Sequence, residues 1–75
     1  MNLDDRRFLR QVGRRVRGLR RARGLTQAAL GERCGLHRTF VGSVERGERN
    51  VAVLSLRRMA RALRVTPADL LPPRR

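Results

Sequence analysis

Gly24, Gly35 and Gly47 cut the middle of this chain into stretches of ten and eleven residues. That spacing sets what can form between them. Glycine tolerates the left-handed backbone that closes a helix or permits a tight turn. Thr26 is a good N-cap, so a helix is predicted over about Gln27–Cys34, with Leu30 and Cys34 on its inner edge. A second short helix is predicted over about His37–Arg46, with Val41 and Val44 inward. The two are each about two turns long and are joined through the Gly35 turn.

The flanking sequence is helical in pattern as well. From about Asp4 to Arg23, Leu9, Val12, Val16 and Leu19 repeat every three to four residues, while Asp4 and Asp5 suit the positive N-terminal end. Gly13 and Gly18 lie inside this helix, and each costs up to about 1 kcal/mol relative to Ala. Close helix packing is one reason to keep such a residue, but the pattern does not decide it. A fourth helix is expected from about Val53 to Leu63, with Val53, Leu56, Met59, Ala60 and Leu63 on one stripe. Its cap position holds Ala52, with Asn50 the alternative cap. Thr66-Pro67-Ala68-Asp69 is a start signal for a fifth helix: a capping Thr, Pro at the first position and an acid at the third. The fold expected is a compact, all-α, five-helix domain spanning residues 1–75. A domain of this size buries only roughly 60% of its unfolded surface and gains from a partner subunit. With only Phe8 and Phe40 as aromatics, its core must be built from Leu, Val, Ala and Met.

Charge narrows the function. Nineteen basic residues against six acidic ones give +13, and the basic residues, all arginine, run from Arg6 to Arg75 through regions patterned as helix. Such an excess self-repels unless an anion neutralises it, and a nucleic-acid backbone is the usual anion. One cysteine, Cys34, cannot form an internal disulfide, and with the one histidine, His37, it falls short of a four-ligand metal site. No apolar run reaches a membrane span and no secretory signal opens the chain, so a cytoplasmic location is expected. No acid pair, nucleophile–base pair or phosphate loop is present to support an enzyme, and neither cofactor nor small-molecule ligand is expected.

A two-turn helix, a glycine turn and a second two-turn helix are the form of a helix-turn-helix, placed here at about residues 26–46. Gly31 supplies the tiny residue where the helices cross, Gly35 the turn, and Leu36, Val41 and Val44 the apolar support beneath the second helix. On these residues, together with Leu25-Thr26-Gln27, Val44-Glu45-Arg46-Gly47 and Ala60-Arg61-Ala62-Leu63, the chain resembles the phage-repressor-like (Cro and Xre type) helix-turn-helix proteins. Gly35 to Val41 with Arg46 to Asn50 is similar to the controller proteins of restriction–modification systems. The resemblance implies a transcriptional regulator that dimerises through its C-terminal helices and sets its third helix into the major groove of each half of an inverted-repeat operator.

Candidate contacts follow from this placement. Val41 and Val44 facing inward leave Arg38, Thr39, Gly42, Ser43 and Arg46 on the outer side of the third helix. Arg38, Thr39 and Ser43 are the base-contacting candidates; a guanidinium can pair with guanine, and a Thr or Ser hydroxyl with several bases. Gln27, at a helix N-terminus, and Arg46, Arg49 and Asn50, after the recognition helix, are the backbone-contacting candidates. Phe40 stands where related controllers commonly carry Tyr and can offer only an apolar contact. The resemblance also implies an ion pair between Arg20 and Glu45. Leu54, Pro67, Ala68 and Leu71 are the candidate dimer interface. Two other readings compete: an antitoxin-like or co-regulatory module of the same fold, and RNA binding, which A-form geometry and the lack of an aromatic platform disfavour.

Overall fold

The computed structural model describes residues 1–73, so Arg74 and Arg75 of the expected domain lie outside the described residues. It is all-helical in its regular structure: α1 Leu3–Ala22, α2 Gln27–Cys34, α3 Arg38–Glu45, α4 Val53–Ala62, and a final 3-10 turn, Pro67–Leu70. The fifth segment is therefore tighter and shorter than an α-helix. Its start is as patterned. The Asp69 amide donates to Thr66 Oγ1 and the Thr66 amide to Asp69 Oδ2, a reciprocal capping box. The Thr66 amide donating to it holds the Asp69 carboxyl below its ordinary pKa.

Caps and stops explain the element boundaries. Asn2 accepts from the Asp5 amide and opens α1 one residue earlier than Asp4. Thr26 caps α2 through the Ala29 amide. His37 caps α3, its Nδ1 accepting from the Thr39 amide. Gly24, Gly35 and Gly47 all take positive φ. Ala52 precedes α4 without a side-chain cap, and Asn50 does not take that role.

The core is a cluster of Val12, Val16, Leu30, Cys34, Val41, Val44, Met59, Ala60, Leu63 and Leu70, drawn from every element. Leu9 and Leu19 are half-buried at either end of the α1 stripe. Val53 departs from the expected stripe: at the first residue of α4 it is 79% exposed, while Met59, Ala60 and Leu63 are buried. Cys34 is an interior residue. Its Sγ donates to the Leu30 carbonyl, and burial pushes the thiol pKa up, away from reactivity.

Two of the four helical glycines are required by packing. A Cβ on Gly31 would strike the Leu36 carbonyl oxygen, where the turn crosses α2. A Cβ on Gly13 would strike the Val44 carbonyl oxygen and lie 2.8 Å from the Glu45 carbonyl carbon, so α3 lies directly on α1 there. Gly18, five residues on, has no heavy atom within 4 Å of the same construction. The pair gives a sharp contrast. Gly18→Ala should stabilise by up to about 1 kcal/mol through helix propensity. Gly13→Ala should cost about 1–3 kcal/mol through overpacking against backbone. Thermal melts read both, since ~1 kcal/mol shifts Tm by roughly 4–8 °C in a domain of this size. Equal shifts for the two variants would mean that α1 and α3 are not in this contact.

Candidate nucleic-acid interface

The helix-turn-helix places α3 across the end of α2, with Arg38 at its leading residue and Arg46 at its trailing cap. Arg38 and Thr39 are exposed. The Thr39 hydroxyl lies 2.8 Å from His37 Nδ1, so the cap of α3 also orients that hydroxyl. The role of His37 is thus architectural. Its pattern as an N-terminal residue was visible, but its bond to Thr39 was not.

Ser43 and Gly42 depart from the expected open outer face of α3: both are buried beneath neighbouring side chains. Ser43 Oγ donates to the Phe40 carbonyl and accepts from Arg49 Nε at 3.2 Å. The Arg49 guanidinium then lies over the Phe40 ring, 5.2 Å from its centroid, within reach of a cation–π contact. Ser43 Oγ is therefore already engaged by Arg49 and the Phe40 carbonyl. Gly42 is covered by the side chains of Arg46 and Gln27, which a Cβ there would meet at 3.1 and 3.3 Å. Helical periodicity gives the direction in which a residue points; it does not reveal which long side chains fold over it.

Of the remaining backbone candidates, Gln27 and Arg46 lie together over Gly42, and Asn50 lies beside the first turns of α1. Gln27 opens α2 and donates from Nε2 to Glu45 Oε1 at 3.1 Å. Arg46 is exposed and pairs with exposed Glu48 at 3.0 Å. Asn50 is exposed in the loop after α3. Phe40 is half-buried under Arg49, which leaves it an apolar contact surface and no donor.

Beside Gln27 lies a buried ion pair. Arg20 Nε donates to Glu45 Oε2 at 2.6 Å and Nη2 to Oε1 at 3.0 Å, while Nη1 donates to the Leu25 carbonyl at 2.8 Å. The hydrogen bonds to Glu45 raise the Arg20 pKa above its ordinary value, so the guanidinium stays charged despite burial. With Gln27 on the same carboxylate, Glu45 joins α1, α2 and α3 at one point. Leu25 as a third partner of Arg20 carried no signal in the sequence, since any residue supplies a carbonyl.

In α4 and at the final turn, Leu54 is 63% and Leu71 is 38% exposed, with Pro67 and Ala68 also exposed. Met1, Leu3 and Phe8, which belong to no predicted stripe, are also exposed at the start of α1. No helix among the described residues is long and apolar enough to cross a membrane.

The same arrangement is found in known proteins. Residues 16–70 match the helix-turn-helix family HTH_3. The chain is 40% identical over 60 residues to control protein C.BamHI of Bacillus amyloliquefaciens, covering 79% of this chain and 74% of that protein. It is 48% identical over 56 residues to control protein C.SmaI of Serratia marcescens, covering 75% and 67%. The crystal structure of the restriction–modification controller protein C.AhdI from Aeromonas hydrophila superposes with a TM-score of 0.82 at 44% identity, over 84% of this chain and 96% of that one. The chain belongs to the HTH_3 helix-turn-helix family, of the Cro and Xre type.

Proposed function

We propose that this protein is a cytoplasmic, sequence-specific DNA-binding regulator of transcription, of the restriction–modification controller kind, that reads an inverted-repeat operator as a homodimer. One observation carries the reading: a recognition helix whose leading residue Arg38 is exposed, backed by an arginine-rich trailing flank, in a chain of net charge +13. Arg38 and Thr39 are the base readers. Gln27, Arg46, Arg49 and Asn50 hold the phosphate backbone, with Phe40 beneath Arg49. Ser43 contributes by positioning Arg49. Leu54, Pro67, Ala68 and Leu71 meet the second subunit, since exposed apolar residues in so small a domain more often meet a partner than water.

The test separates two kinds of contact. Arg38→Ala should cost about 1–3 kcal/mol and relax preference at one base pair per half-site. Arg46→Ala should weaken all sequences alike and lower the salt slope by about one per site. Affinity for an operator selected from random duplexes, for its single-base variants and for random DNA reads both. The selected sites should be inverted repeats with half-sites about 34 Å apart. The recognition helix is misoriented if the two variants exchange behaviours. A monomer by sedimentation at micromolar concentration, free and on DNA, removes the dimer.

A further inference from the structure

A second basic site lies beside the recognition flank and uses a part of the chain that the helix-turn-helix does not. Arg6 and Arg10 are four residues apart and share one face of α1. That face meets the turn after α3. A Cβ on Gly47 would lie 2.7 Å from Arg10 Cγ and 2.9 Å from its Cα, so only a glycine at this left-handed turn lets α1 approach so closely. The result is a concavity of about 400 Å³ lined by Met1, Arg6, Arg10, Arg46, Gly47 and Glu48. Three guanidinium groups face one carboxylate, Glu48, which is already engaged by Arg46. Asp5 lines the neighbouring depression beside Phe8 and Leu9 instead. The arginines alone thus outnumber the carboxylate by two, and the site opens beside the recognition helix because Arg46 belongs to both.

We infer that Arg6 and Arg10 grip phosphates of the DNA backbone beyond those held by α2 and the α3 flank, so that the first turns of α1 extend the footprint. This rests on the DNA-binding reading above. The chemistry fits: a concave, arginine-lined site accepts phosphate oxygens, and guanidinium forks pair with them bidentately. It carries no base information, because phosphate contacts position a protein on the duplex without reading its sequence.

The test is the double variant Arg6→Gln/Arg10→Gln, which keeps most of each stem and so its packing over Gly47. Its control is Arg14→Gln/Arg17→Gln, with the same loss of charge from exposed positions of α1 outside this concavity. Each phosphate contact contributes about 0.9 to the slope of log affinity against log salt. The Arg6/Arg10 variant should lower that slope by about two per bound subunit, keep the operator's base preferences, and lose phosphate-ethylation interference at positions flanking each half-site. The control should leave the slope near that of the wild type. Equal slope changes in both variants, or an unchanged slope and interference pattern in the Arg6/Arg10 variant, would overturn the inference while leaving DNA binding intact. A wild-type chain that binds no duplex overturns both. Inorganic phosphate separates the sources: competition no stronger than chloride at matched ionic strength is expected, and selective displacement by phosphate would make this a free-anion site.

Discussion

Glu45→Ala is expected to cost about 3–5 kcal/mol of folding stability, close to the whole stability of a domain this small. The size of the effect comes from what is left behind. Arg20 and Glu45 are 8% and 9% exposed, and their side chains exchange two hydrogen bonds. Removing the carboxylate strands a charged guanidinium, with only the Leu25 carbonyl as partner, and releases Gln27 from the same junction. Arg20→Ala should cost a comparable amount by leaving the carboxylate to Gln27 alone. The Arg20→Met/Glu45→Leu double variant should be more stable than either, since an apolar pair of similar volume strands no charge. Urea denaturation of the three variants reads the coupling. A cost under about 1 kcal/mol for Glu45→Ala would put the pair with exposed ion pairs, screened and weak, and would remove it as the junction of the three helices.

That junction also marks how far the sequence could be read. The two-turn helices, their caps and their glycine stops were legible because each depends on local chemistry: Thr26 meets an amide three residues away, and Gly35 needs only its own φ. Arg20 and Glu45 are twenty-five residues apart, and no periodicity pairs them; their partnership came from resemblance alone. Gly13 and Gly18 make the same point. They look alike in the sequence, yet one lies under the end of α3 and the other meets nothing. Ser43 shows the limit at the interface. Its direction followed from Val41 and Val44, but its cover depends on Arg49, whose side chain folds back from a loop over Phe40. Arg6 and Arg10 carry no mark in the sequence for a related reason. Among so many arginines on α1, only the tertiary approach of Gly47 distinguishes the two that line a site with Arg46.

The affinity for duplex DNA should fall steeply with salt, and the steepness counts the backbone contacts. Arg46 and Arg49 are the charged members of the recognition flank, giving four phosphate contacts in a dimer and a slope of about −3.6. Adding Arg6 and Arg10 gives eight, and a slope of about −7. Between 50 and 200 mM salt the first value predicts a loss of roughly 150-fold in affinity, and the second roughly 20,000-fold. Neutral contacts such as Gln27 and Asn50 hold phosphate oxygens without releasing counterions, so they leave the slope unchanged. The measurement is an operator titration across that range, repeated with duplex RNA as competitor. RNA should compete poorly, because the deep, narrow major groove of an A-form helix does not admit α3. A flat salt response, or RNA competing as well as DNA, would remove the DNA assignment. A slope near −7 that drops to about −3.6 in Arg6→Gln/Arg10→Gln would apportion the grip equally between the recognition flank and the first turns of α1.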